Sequence, residues 1–315
     1  MSKREIKLRK CNICGKEIFS EIAYCSLECL HNSRYARGDY DKKREMLNYL
    51  INHPEVSSRE VARIFGVSKS VTERLCFFTD RKRVLYEVDE NYFENINDEY
   101  KAYWLGFLFA DGYVNKNKQN SCVIELALSE IDYNHLIKFR DSLKSNYTIK
   151  KKVTKLGNKT YNAYRFSIYR EKMYNDLVNK GCVENKSLIL KFPNTNVFAD
   201  EHLIKHFIRG YIDGDGCLAV YGKTCHINIL GTEHMLKNIL DFLKIHTAIT
   251  TITKPRKCTS KGKENIYELN FGKKDSFIIA KYLYENANIF LDRKYNKYLK
   301  MRDIHKEVLW TSIER

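Results

Sequence analysis

The sequence predicts an α+β fold: two like halves, each read as αββαββα, preceded by a small cysteine-rich segment and a helix-turn-helix. Three observations carry this expectation. From about residue 100 the 315-residue chain repeats its own pattern, period-2 apolar runs alternate with helical stretches inside each copy, and four cysteines crowd the first segment. A chain of this length is expected to form two or three units, by a prior of roughly 100–200 residues per domain.

The first segment, residues 1–40, holds Cys11 and Cys14 in CNICG and Cys25 and Cys29 in YCSLEC. Thiolates at these spacings can surround one tetrahedral Zn²⁺, and a piece this short has too little apolar surface to fold otherwise. His31 is an alternative ligand. The start, MSKREIKLRK, has no apolar stretch behind it, and no later run is long enough to span a bilayer. A reducing compartment, cytoplasmic or nucleoid-associated, and no membrane partner are therefore expected. In such a compartment the ten cysteines read as metal ligands or buried thiols rather than a disulfide framework.

Residues 41–80 follow helix-turn-helix grammar: a Ser cap, a helix carrying Val61, Ala62 and Ile64, a turn at Gly66-Val67, and a new helix begun by Ser68. The second helix is expected to present Lys69, Ser70, Thr72, Glu73 and Arg74 outward, toward DNA. A plain helical hairpin joining two domains would share this pattern. Residues 81–99, basic first and acidic later, read as a linker.

The repeats are placed at 100–195 and 196–315. AYWLGFLFADGYV answers to HFIRGYIDGDGCL, and VIELALSEIDYNHLIKFRDSLK to HINILGTEHMLKNILDFLK. In AYRFSIY the alternation of Tyr164, Phe166 and Ile168 with Arg165, Ser167 and Tyr169 marks a strand.

The leading helix of each copy ends on an acid, Asp111 and Asp215. Carboxylates are disfavoured at the negative end of a helix dipole, so stability alone would not place one there twice. Ala102, Gly106 and Ala110 share one stripe, as do His206, Gly210 and Gly214, and small residues on a stripe let two helix backbones approach closely. That approach sets the two acids side by side on a pseudo-twofold axis. Two carboxylates about 5 Å apart repel by roughly 3 kcal/mol at an effective dielectric near 20. A hard divalent cation such as Mg²⁺ offsets this, and metal ions held between carboxylates serve in-line attack on phosphodiesters. A surplus of Lys+Arg 55 over Asp+Glu 39, formally +16, suits a polyanion partner.

LGFLFADG and IRGYIDGDG resemble the signature helices of the LAGLIDADG homing endonucleases in their single-chain, two-motif form, over roughly residues 100–300. The resemblance implies a saddle of strands on double-stranded DNA, Mg²⁺ held by Asp111 and Asp215, and cleavage across the minor groove to short 3′ overhangs. A monomer is expected, since one chain holds both motifs. Phe109 departs from the motif, which has an acid two places before the catalytic one; the second copy keeps Asp213, at a position that faces away from the metal. The family also places a basic residue late in each repeat, near the scissile phosphate. Lys186 and Lys294 match it, as groups to organise the attacking water or stabilise phosphorane charge. Gln119, Asn228 and Glu125 are lesser candidates to position water.

Base contacts are expected from strand faces carrying Lys150 and Lys152, Arg165 and Ser167, and Glu268 and Asn270, with Asn228 beside them; each is equally read as a solvated strand face. Two rival functions are an intron RNA maturase, whose partner is its own intron RNA, and a non-catalytic transcription regulator. Against the regulator stand two intact acids. An intein is not expected of a chain that begins with Met and ends TSIER.

Overall fold

The repeated αββαββα pattern is present twice in the computed structural model, which describes residues 7–20, 22–33, 39–54, 56–79, 86–117, 121–156, 159–250, 252–259 and 265–313. The chain divides into two compact units, Met1–Leu85 and Tyr86–Arg315.

The first unit contains a hairpin of β1 (Lys7–Lys10) and β2 (Glu17–Ser20), then α1 (Leu27–His31), α2 (Tyr40–Asn52), α3 (Ser58–Ile64) and α4 (Lys69–Leu75). Leu27, Met46, Leu50, Val61 and Leu75 meet in one core. The cysteine segment and the helices, read separately from the sequence, thus share their apolar surface. Ser57 caps α3 through the Glu60 amide, and Gly66 makes the turn with φ at 61°.

The second unit contains α5 (Glu99–Ala110), β3 (Gly112–Lys116), β4 (Cys122–Ser129), α6 (Tyr133–Ser142), β5 (Lys150–Leu156), β6 (Lys159–Ile168) and α7 (Glu171–Asn179). The second copy follows as α8 (Ile204–Asp215), β7 (Gly216–Tyr221), β8 (Thr224–Gly231), α9 (Glu233–His246), β9 (Arg256–Lys257), β10 (Tyr267–Phe271) and α10 (Lys273–Tyr284), with α11 (Asp292–Ile313) added. The saddle expected from the resemblance is made of two antiparallel four-stranded sheets, in the orders β3-β4-β6-β5 and β7-β8-β10-β9. The predicted alternation holds: Ile124, Leu126, Phe166 and Ile168 are buried on the inner face of the first sheet, and Ile227, Ile229, Leu269 and Phe271 on that of the second. Helices α6 and α7 cover the first inner face, and α9 and α10 the second.

Residues 86–98, read as part of a linker, belong to this second core. Tyr92, Phe93 and Ile96 are buried in it, and the Asp89 amide bonds the Leu143 carbonyl. The charge pattern hid these apolar side chains. Among the described residues no helix is long and apolar enough to cross a membrane.

At the centre α5 packs against α8. A Cβ added to Gly106 would lie 2.0 Å from the Phe207 carbonyl oxygen, and one added to Gly210 would lie 2.0 Å from that of Tyr103. Only glycine fits at either point, and the reciprocal contact is the local signature of the pseudo-twofold axis. One turn on, Gly214 faces the Ala110 methyl. The stripes of small residues read from the sequence are the crossing itself.

Candidate active site

The crossing brings the ends of α5 and α8 together. A Cβ at Gly214 would stand 3.4 Å from Asp111 Oδ2, so Asp111 lies against the last turn of the helix that ends in Asp215. Past each acid a glycine lets the chain turn from helix to strand: a Cβ on Gly112 would meet the Leu108 carbonyl at 2.5 Å, and one on Gly216 the Ile212 carbonyl at 2.6 Å. Both acids are open to solvent on one side and crowded by protein on the others. Loss of water raises the Asp111 pKa against the pull of Lys294 and Lys186. For Asp215 burial and then the neighbouring Asp111 charge push it up to about 6.

Lys186 and Lys294 come to these same helix ends, but their ammonium groups turn to main-chain carbonyls. Lys294 is 2% exposed and donates to the carbonyls of Ile212, Asp213 and Gly216, each at 2.6 Å, and to that of Gly214 at 3.3 Å. It cancels the negative end of α8 beside Asp215. Burial holds its pKa down at about 8, against the attraction of Asp213 and the two acids. Lys186, also buried, donates to the Gly112 carbonyl, the residue after Asp111. These are capping contacts, because unpaired carbonyls at a buried helix end claim the nearest cation. The charge of both lysines still reaches the acids.

Sequence reading missed two neighbours, Arg293 and Asp132, and the partners of a third, Asp213. Arg293 Nε bonds both Asp132 oxygens at 3.1 Å, and its charge lowers the Asp111 pKa. Asp213, read only as facing away, is fully buried and accepts hydrogen bonds from Tyr103, Tyr284 and the Leu291 amide. Buried Asp132 precedes α6. The signal for Arg293 was its place beside Lys294 in DRKY; Asp132 and Tyr103 carried none.

On the solvent face of the first sheet, Lys150 pairs in register with Arg165, Lys152 with Ala163, and Ser167 with Glu125. Lys150, Lys152 and Arg165 are exposed, as read. Ser167 donates to Glu125 at 2.8 Å, with Arg165 3.8 Å from the same carboxylate. Lys150, Arg165 and Ser167 also line a cavity of about 150 Å³ with Tyr86, Tyr147, Thr148 and Tyr169. In the second sheet Asn228 and Asn270 are register partners whose amides bond one another, and Glu268 pairs with Arg256. Both asparagines are half-buried. Gln119 lies outside the described residues.

In the first unit the Cys11, Cys14, Cys25 and Cys29 sulfurs lie within 4.8 Å of one another. Cys14 and Cys25 approach to 3.4 Å, and Cys25 and Cys29 to 3.5 Å. Backbone amides of Cys14 and Ile13 draw the Cys11 pKa down to about 6, while bonds to Cys14 and Cys29 push that of Cys25 up to about 12. Four soft donors at tetrahedral separations, one of them reluctant to ionise without a cation, fit zinc. His31 packs on Tyr40, ring centres 4.5 Å apart, and is not part of the cluster.

Ser70 and Arg74 are exposed on α4, as is Lys69, which pairs with Glu73 at 2.6 Å. Thr72 is a correction to the outward-facing set. It is fully buried, and its hydroxyl donates to the carbonyls of Ser58 at 2.7 Å and Lys69 at 2.9 Å, tying α4 to α3. Thr72 shares the inward face of α4 with buried Leu75, three residues on, and a hydroxyl with two local acceptors tolerates burial.

No family model matches the sequence, and no curated protein does. Among solved structures, the chain is similar to "The homing endonuclease I-WcaI bound to its DNA recognition sequence", at 16% identity and a TM-score of 0.46, over 66% of this chain and 91% of that one. It is similar to "I-SmaMI bound to uncleaved DNA target in the presence of Calcium ions" at 12% identity and a TM-score of 0.42, over 67% and 92%. A third, the "I-LtrWI LAGLIDADG homing endonuclease bound to target DNA", gives 13% identity and a TM-score of 0.41, over 70% and 91%.

Proposed function

We propose that the chain is a site-specific endonuclease that hydrolyses both strands of duplex DNA at Asp111 and Asp215, with divalent-metal dependence, Mg²⁺ being the expected ion. One observation carries the reading. Two repeats of one chain use a close backbone contact, glycine against carbonyl, to bring two mutually repelling carboxylates to a solvent-facing point. Such an arrangement lowers stability in the metal-free chain, a cost expected at a functional site.

Asp111 and Asp215 offer hard oxygen donors and would hold the ion. When bound, a divalent cation supplies an activated water and stabilises the leaving oxygen. The chain's own part is electrostatic and geometric. Lys186 and Lys294 keep net positive charge behind the acids, so that ionised carboxylates persist near a phosphate backbone. Attack of a water oxygen on the scissile phosphorus, in line with the departing 3′ oxygen, leaves a 5′ phosphate and a 3′ hydroxyl. The pseudo-twofold axis gives each strand its own half-site, so one copy of the chain suffices, with cutting across the minor groove to short 3′ overhangs. Lys150, Lys152 and Arg165 on one sheet, and Asn228 and Asn270 on the other, are the side chains offered to the duplex. The first unit adds Lys69, Ser70 and Arg74 on α4, with Zn²⁺ on the four cysteines stabilising the fold beneath it.

Cleaved sites recovered from a randomised duplex pool in Mg²⁺ test the reading. Asp111→Asn and Asp215→Asn should each lower double-strand cutting by on the order of 10²-fold or more while keeping duplex affinity. Undiminished cutting by both variants overturns it.

A further inference from the structure

The two acids are symmetric, but what holds them is not. In the second copy, fully buried Asp213 receives three donors: the Tyr284 hydroxyl at 2.6 Å on Oδ1, and the Tyr103 hydroxyl at 2.7 Å and the Leu291 amide at 2.8 Å on Oδ2. Leu291 is the last residue before α11, and its carbonyl in turn accepts the Lys294 and Tyr295 amides. The bond from Leu291 therefore fixes the start of α11, from which Lys294 reaches back to four carbonyls at the end of α8. A closed loop of contacts results: Asp213 to Leu291, Leu291 to Lys294, Lys294 to the main chain on either side of Asp215.

In the first copy the motif position of Asp213 is taken by Phe109, and that of Tyr103 in the second copy by Phe207. These two rings make an edge contact at 5.1 Å and 82°. Phe109 also touches the segment that leads to Lys186, its ring 3.5 Å from where a Cβ on Gly181 would be. There the buried lysine makes a single carbonyl bond, to Gly112.

We propose that Asp213 is a positioning residue for the second half-site alone: it clamps the turn before α11, so that Lys294 seats on the end of α8 and fixes the direction of Asp215. The first half-site is fixed separately by Phe109, so one half can be loosened while the other stays in place. This rests on the nuclease reading above. No isosteric amide replaces the clamp, because three donors converge on two oxygens and an asparagine turns one of them into a donor.

The test uses full-length protein and a supercoiled plasmid carrying a site recovered from the pool, in Mg²⁺, with each strand of the matching linear duplex end-labelled. Wild type should give linear plasmid. Asp213→Asn should accumulate the nicked circle, with one strand cut on the order of 10-fold or more slowly and the other within about twofold of wild type. The slowed strand should be the one slowed more by Lys294→Met, whose lost charge also bears on Asp111, at unchanged duplex affinity by gel shift. Tyr103→Phe, which removes one donor and keeps the carboxylate, should shift the strand ratio the same way by less, and serves if Asp213→Asn fails to fold. A purely structural role would slow both strands by one factor, and that result overturns the proposal, as does slowing of the opposite strand from Lys294→Met. A folded wild type that cuts neither strand overturns the nuclease reading, and this inference with it.

Discussion

The two flanks of the α5–α8 crossing solve one packing problem with different chemistry. On one flank Glu99 and Tyr103 of the first copy face Arg209 and Asp213 of the second: Arg209 donates to Glu99 at 2.6 Å, and Tyr103 to Asp213 at 2.7 Å. Under the pseudo-twofold these positions become Leu203, Phe207, Leu105 and Phe109, all apolar and all buried. The residues that stay alike between copies are those at the crossing and at the helix ends: Gly106 and Gly210, Asp111 and Asp215, Gly112 and Gly216, Lys186 and Lys294. A duplicated chain is thus constrained where backbones touch and where charge is concentrated. Elsewhere each flank needs only internal consistency, either every polar group paired or none present.

The comparison breaks first at the crossing, if its symmetry is only apparent. Gly106→Ala and Gly210→Ala each place a methyl against a main-chain oxygen that cannot move without its helix. Both should destabilise the second unit by about 3 kcal/mol or more, at the upper end of overpacking penalties, and by similar amounts. Urea unfolding of each variant measures this. A large effect at one glycine and none at the other would show that the reciprocal contact is not shared equally.

The next effect sharpens the contrast of the flanks. The Arg209 guanidinium is fully buried and donates to the carbonyls of Ile289 and Leu283 at 2.9 Å, as well as to Glu99. Burial would raise the Glu99 pKa, but bonds from Asn288 and the Arg209 charge outweigh it and hold it below the ordinary value. Arg209→Leu leaves that carboxylate only its Asn288 bonds and should cost about 3 kcal/mol, the lower end for breaking a buried pair. Adding Glu99→Leu copies the apolar flank and should recover part of the loss, with the two unpaired carbonyls accounting for the remainder. If the double variant is no more stable than Arg209→Leu, the flanks are not alternative solutions of one problem.

These residues show what was legible in advance. Gly106, Gly210, Asp111 and Asp215 could be read because their roles are set by local spacing: a stripe, a helix end, a repeat of both. The strand faces were legible for the same reason, since alternation alone sorts Phe166 inward and Arg165 outward. Thr72 was misread because its burial depends on the angle between α3 and α4, which spacing does not record. Lys186 and Lys294 were found by position, yet the direction of their ammonium groups is set by carbonyls of residues some 74–82 places earlier in the chain. Asp213 was visible as a motif residue, but its partners come from α5, α10 and the turn before α11, and only the assembled fold brings them together.

The smallest expected effect separates the acids from everything that supports them. The Asp215 pKa rises from 3.8 in an unfolded chain to about 6 in the fold. A raised pKa means that the folded protein holds the proton more tightly, so this group favours folding below about pH 4 and ceases to do so as the pH climbs through about 6. The side-chain amide of the Asp215→Asn variant has no such proton to lose. In metal-free buffer the variant should therefore match wild type in melting temperature near pH 4 and exceed it above pH 6. Added Mg²⁺ should raise the melting temperature of wild type and close the gap from the other side, because only the ionised pair binds the ion. A gap that stays constant across pH 4–7 would mean that the Asp215 carboxylate is already ionised without penalty, and that the crossing does not force the two acids together.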